Sequence, residues 1–318
     1  MSAKRRTRIL LLLCALVLLL AGCKVKPTED ISWGSFRPHE QTEKVYLLDL
    51  IKDTRSEFLA VKIEETLENT FALQAVGKIE ALPAEGKHIV LLLSNTPETE
   101  VAQVKTQCSA ETEIILIGSR YADVSSIACT DQAIGESAAQ FLHGDFLARG
   151  QKQADIIGVG TRKSDCMTAF LESMGKRQEY TVTKEIYTEV EAEVFSLLET
   201  YSAAEKPLGI LVSDPSMAEQ IVEKVQSLGG EDYINILCIG GNDVLEKALR
   251  MGAVSGIVVE NLPALYEGLE EILLAAADTL PIQTECPPLI LSRQNIDAPA
   301  LREIEKIVLV PKAQEEDA

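Results

Sequence analysis

Short aliphatic and β-branched runs alternate along the chain with longer stretches whose apolar positions recur every three or four residues. The alternation is sharpest between Leu208 and Gly268. Leu208–Val212 is continuously apolar, stops at Ser213-Asp214-Pro215, and gives way to Met217, Ile221, Val222 and Val225, the spacing of one helix face. Gly229-Gly230 closes that helix, Ile234–Ile239 forms a second apolar run ending at Gly240-Gly241-Asn242-Asp243, and 245–251 is again helical and ends at Gly252. A third run, 254–259, ends at Glu260-Asn261. Such βαβαβ units demand a parallel sheet with right-handed crossovers and helices on both faces.

The same rhythm predicts strands at 44–51, 70–76, 89–93, 114–117, 127–129, 155–159, 184–188 and 304–310. Helices are predicted at 56–68, 98–108, 136–148, 167–174, 191–202 and 265–276. Only about ten residues separate the strand at 70–76 from the next one, fewer than a helical crossover needs. In parallel α/β sheets ligands sit beyond the carboxyl ends of the strands. Those ends here carry Ser213-Asp214, Asn242-Asp243 and Glu260-Asn261. Two readings fit such residues, a ligand crevice or plain caps on the helices that follow, and three polar pairs in a row favour a crevice.

The segments SDPSMAEQI (213–221), CIGGND (238–243), Ala248 to Gly252 and ENLPALYEG (260–268) resemble the type 1 periplasmic-binding-protein superfamily. In particular they resemble ribose/galactose-type solute-binding proteins and the effector domains of lac-repressor-type regulators. Thr130-Asp131-Gln132-Ala133-Ile134-Gly135 is similar to that family's first crossing, and 289–297 to its closing strand and third crossing. The resemblance implies an α/β fold of two Rossmann-like lobes, each a parallel sheet with helices on both faces, joined by three hinge crossings. Its N-terminal lobe would comprise 44–130 plus 262–291, and its C-terminal lobe 131–261 plus 292–313.

The implied ligand residues are Phe58, Asn95, Ser119, Arg120, Asp131, Arg162, Ser213, Asp214, Asn242, Glu260 and Asn261. Phe58 reads equally well as a core contact at a helix start. Ser119-Arg120 stands where the family has Asp-Arg, and Cys166 stands four residues before Phe170 where many sugar binders have Arg, so Arg162 or Lys163 would substitute from the loop. Gly135 would let its helix pack closely.

At the amino terminus Lys4, Arg5, Arg6 and Arg8 precede thirteen apolar residues, 9–21, too few to span roughly 30 Å of hydrocarbon, so a secretory signal is expected over 1–22. Leu20-Ala21-Gly22-Cys23 looks like a bacterial lipobox, implying cleavage before Cys23 and lipid on its thiol. Residues 23–43 read as a tether, and 314–318 as an acidic tail. The formal charge of −19 becomes −23 once the four cations of 1–22 are removed, which disfavours nucleic acid as a partner.

Beyond Cys14 and Cys23, the cysteines 108, 129, 166, 238 and 286 are odd in number and lack metal-ligand spacing. Cys238 reads as a core residue, and Cys108 with Cys129 is the one pairing to check. No nucleophile-and-base motif argues for an enzyme, and no cofactor is expected. The function expected is therefore that of a monomeric, membrane-anchored binder of a small polar solute, sugar or sugar-like, serving an ABC permease. The alternative is a sensory or scaffold lipoprotein of the same fold that signals to a membrane receptor with weak or lost ligand binding.

Overall fold

The computed structural model describes residues 44–67, 71–93, 96–187, 191–274, 281–301 and 309. The expected signal, lipidation site, tether, acidic tail and candidate residue Asn95 lie outside them, as does most of the strand expected at 304–310.

The first sheet is built from β1 (Lys44–Leu48), β2 (Ala72–Val76), β3 (His88–Leu93), β4 (Glu113–Ile117) and β5 (Ser125–Ala128). Between them run α1 (Thr54–Leu67) and α2 (Glu98–Gln107). The second lobe begins with α3 (Asp131–Ala148) and continues through β6 (Ala154–Gly160), α4 (Asp165–Gly175), β7 (Tyr180–Tyr187), α5 (Glu191–Ala203) and β8 (Leu208–Val212). It is completed by α6 (Pro215–Leu228), β9 (Ile234–Ile239), α7 (Asp243–Met251) and β10 (Gly256–Val259). The chain then forms α8 (Leu262–Glu267), α9 (Leu269–Leu274), β11 (Gln283–Glu285) and β12 (Leu289–Leu291).

Strand order is β11-β5-β4-β3-β1-β2 in one sheet and β12-β10-β9-β8-β6-β7 in the other. All pairings are parallel except that of β12 with β10. The central strands are predominantly apolar because each sheet is covered on both faces. In the first, Val45, Leu47, Ile89, Leu91, Leu93, Ile115 and Ile117 face one core, while Tyr46, Leu48, Val90, Leu92, Ile114 and Leu116 face the other. In the second, Ile210, Val212, Ile236 and Cys238 oppose Leu211 and Leu237 in the same way, so Cys238 is the small core residue its surroundings suggested.

The short connection after β2 has a physical solution. A 3-10 turn, Ile79–Ala81, replaces the missing helix, and Leu82, 3% exposed, covers the same core face as Tyr46 and Val90. Close packing at Gly135 also appears as expected: a Cβ there would lie 2.3 Å from the Cys166 carbonyl oxygen and 2.7 Å from the Phe170 nitrogen, so α3 and α4 touch backbone to backbone. The caps of α6 are those the sequence carries, Asp214 and Pro215 at its start and Gly229 at φ 62° at its end.

Several boundaries differ from expectation, and three of the differences have a visible cause. The helix expected at 265–276 starts at Leu262 and is interrupted at Gly268, whose missing side chain leaves room for Ile127. β7 begins at Tyr180 rather than at 184, because this edge strand exposes Val182 and its polar neighbours and so lacks the apolar run of an interior strand. Leu289–Leu291, expected in the N-terminal lobe, pairs with β10 in the second sheet. The third crossing therefore falls at Cys286-Pro287-Pro288, where two prolines break the ladder after β11.

Candidate functional site

The carboxyl ends of both sheets lead into the crossings at 129–130, 260–261 and 286–288, and Arg55, Thr130, Glu260 and Glu285 pair beside them. The first of these groups is held by the turn after β1. Asp49 organises that turn: its Oδ1 accepts from the backbone N–H of Ile51 (3.1 Å) and Lys52 (3.0 Å), and its Oδ2 from the hydroxyl of the fully buried Ser56 (2.9 Å). The Ser56 N–H in turn donates to Asp53 Oδ1 at 2.7 Å. Lys52 sits at φ 56°, a conformation non-glycine residues seldom adopt, and the Asp49 hydrogen bonds hold it there.

This turn aims Arg55 at Glu260. Their ion pair joins the first turn of α1 to the second crossing, with side chains 23% and 19% exposed. Arg55 Nε is buried and has no hydrogen-bond partner among the described residues. Burial pushes the Glu260 carboxyl above its ordinary value, Arg55 pulls it back down, and Asp53 adds a smaller upward push.

A second polar chain runs along the edge of the first sheet. Thr130 caps α3 by accepting from the Ala133 N–H at 3.1 Å, and its hydroxyl donates to Glu285. Arg120 donates from Nε to Gln283 Oε1 at 2.8 Å and lies 3.8 Å from Glu285. Gln283 donates onward to the Tyr121 carbonyl at 2.9 Å. Arg120, expected as a ligand group, thus engages β11, and Ser119 beside it is half-buried.

In the second lobe the plain capping reading prevails. Asn242 is 2% exposed; its Oδ1 accepts from Val244 and Leu245 N–H (3.1 and 3.0 Å), and its Nδ2 donates to Glu219 at 2.6 Å. Its amide oxygen and one amide N–H are thus engaged inside the lobe, the pattern of a helix cap. Asp214 caps α6 through Met217 N–H at 3.0 Å, and Asn261 caps α8 through Ala264 N–H at 3.3 Å. The Ser213 hydroxyl packs on Gly160, where a Cβ would meet it at 2.3 Å.

Phe58 packs on the first-lobe core with the Lys62 ammonium 5.8 Å above its ring, matching the core-contact reading. Arg162 is exposed on the loop after β6. Asp131 is exposed at the start of α3 and lines a hollow of about 470 Å³ that α3 and α4 enclose with Asp165, Thr168 and Glu172.

Of the expected residues, the structure brings Glu260, Asn261 and Arg120 to the crossings. Arg55, Thr130 and Glu285 join them there without having been anticipated. The partner that marks Arg55 is some two hundred positions away, beyond any local spacing signal. The pairing of Cys108 with Cys129 is also excluded. Cys108 lines a hollow with Glu113 and Ser125 at the amino ends of β4 and β5, and Cys129 follows the carboxyl end of β5. Four strand residues separate the two ends by about 13 Å, twice the reach of a disulfide. Among the described residues no group of three or more His, Cys, Asp or Glu is placed to hold a metal ion.

The two doubly covered sheets and their three crossings are the type 1 periplasmic-binding-protein fold. No family model and no curated protein matches the sequence. Solved structures do match. One is an ABC transporter solute-binding protein from Agrobacterium vitis with bound D-fucose, at TM-score 0.52 and 16% identity over 84% of this chain and 100% of that one. AraP, an arabinose-binding protein from Geobacillus stearothermophilus, matches at TM-score 0.60 and 12% identity over 80% and 98%. A chain of the XylFII-LytSN complex matches at TM-score 0.61 and 10% identity over 80% and 99%. The first two are solute-binding proteins, not enzymes.

Proposed function

We propose that the protein captures a small polar solute, sugar or sugar-like, between its two lobes and delivers it to an ABC importer while anchored to the membrane by lipid on Cys23. The observation that carries this reading is the ion pair at the second crossing, where Arg55 and Glu260 offer a donor and an acceptor side by side and Arg55 Nε–H has no acceptor among the described residues. A buried donor left unmade costs about 1–3 kcal/mol, so a solute hydroxyl that accepts from it gains affinity. The sugars named with the matched structures support a carbohydrate. The lipobox residues Leu20-Ala21-Gly22-Cys23 support the anchor.

The test is a thermal-shift screen of the full chain against free pentoses and hexoses, including D-fucose, arabinose and tagatose, followed by calorimetry. A bound sugar raises stability as RT ln(1 + [L]/Kd), about 2.7 kcal/mol at a hundredfold excess over Kd. Failure of every sugar would favour the sensory or scaffold reading, for which the internal engagement of Asn242 and Arg120 is the supporting observation.

A further inference from the structure

Cys129 stands where the three crossings meet. It opens the crossing at 129–130; its thiol lies beside the Asn261 backbone of the second crossing and donates to the Pro287 carbonyl oxygen of the third at 3.8 Å. The parallel ladder of β5 and β11 pairs Gln283 with Ser126 and Glu285 with Ala128. It continues one step further, because the Cys286 N–H donates to the Ala128 carbonyl at 2.9 Å. In a parallel ladder that bond places Cys286 directly opposite Cys129, with both side chains on one face. The core agrees: Cys286 is 3% exposed within the cluster that contains Ile127 and Leu265, and Cys129 packs against the same cluster. Neighbouring strands run about 4.8 Å apart, inside the roughly 4.4–6.8 Å Cα separation that a disulfide spans. Both thiols are free in the structure.

We propose that Cys129 and Cys286 are a reversible dithiol/disulfide pair that clasps the first crossing to the third. The step is thiol–disulfide exchange with a small disulfide such as oxidised glutathione. The half-buried Cys129 is the entry point: its thiolate attacks one sulfur of the reagent, forming a mixed disulfide and releasing one thiol. Cys286 then attacks the Cys129 sulfur, forming the internal bond and releasing the second thiol. The two protons lost by the protein leave on the two thiols, and the two electrons reduce the reagent. Burial pushes Cys129 up to about 11 and Cys286 up to about 12, so little thiolate exists at neutral pH and the exchange speeds up as pH rises. Once formed, the bond replaces the loose contacts of the Cys129 thiol with a covalent tie, so the two crossings move together.

The pair is tested without any solute, so its failure is distinct from failure of the sugar-binding reading. The full chain is incubated with oxidised glutathione at pH 8.5, alkylated under denaturing conditions and mapped by mass spectrometry without reduction. The expected result is loss of two alkylatable thiols, a crosslink between the Cys129 and Cys286 peptides, and recovery of both thiols with dithiothreitol. Cys286→Ser, with its fold checked by circular dichroism, should instead hold glutathione on Cys129. Hydrogen exchange of the oxidised wild type should slow at the amides of 129–130 and 286 by about tenfold, one decade of local opening. Full alkylation of both thiols after oxidation, or a crosslink from Cys129 to a different cysteine, overturns the pairing. A correct crosslink with unchanged exchange at the crossings overturns the clasp.

Discussion

Replacing Arg55 with Met keeps the aliphatic stem but takes the counter-charge from Glu260. Two opposite unit charges about 4 Å apart attract by roughly 4 kcal/mol at an effective dielectric of 20. Exposed pairs retain only about 0.2–1 kcal/mol of this, whereas removing one partner of a fully buried pair costs about 3–5 kcal/mol. With the two side chains 23% and 19% exposed, Arg55→Met should cost about 2 kcal/mol at pH 7.

The pH dependence carries the sharper test. Glu260 is raised above its ordinary value of 4.5 by burial, against the downward pull of Arg55. A carboxyl raised in the fold contributes stability that is fully present below its unfolded value and is lost as pH rises through the folded value. Without Arg55 the folded value climbs further, so the variant should lose stability more steeply with rising pH, and the two proteins should converge near pH 4. Glu260→Gln, lacking the titration, should be at least as stable as wild type at pH 7. Urea unfolding at pH 4 and pH 7 measures both differences. An equal loss for Arg55→Met at the two pH values, or none at pH 7, would refute the reasoning.

Asn242→Ala removes a cap and takes a donor from the buried Glu219, so it should cost about 2 kcal/mol by urea unfolding while leaving solute affinity within twofold of wild type. Gly135→Ala puts a methyl 2.3 Å from the Cys166 carbonyl and should destabilise by about 3 kcal/mol, visible as a lowered Tm. Cys23→Ser should move the protein from the membrane pellet to the soluble fraction, and unchanged fractionation would contradict lipid attachment at that residue.

The fold was legible because both sheets are buried on two faces, so most interior strands are largely apolar: Leu208–Val212 and Ile234–Ile239 match their predicted bounds residue for residue. Legibility fails where burial is one-sided or pairing is distant. β7 carries polar residues on an exposed edge, and β11, only Gln283–Glu285, is defined by its partner Ser125–Ala128 and not by its own pattern. The site shows the same division. Polar residues at strand ends are visible in sequence, yet a cap and a ligand group have the same composition, and only the geometry shows that Asn242 has spent its amide on Glu219. Arg55 escaped because its meaning lies in Glu260, which the chain brings back only at the second crossing.

The central claim is that one solute is held by both lobes, and hydrogen exchange of the full chain with and without a panel of free pentoses and hexoses tests it most directly. The account expects at least one sugar to slow exchange in two places at once, in the turn at 49–56 of the first lobe and at the strand ends 160–164 and 213–214 of the second. No sugar altering exchange in either lobe, or protection confined to one of them, would contradict it.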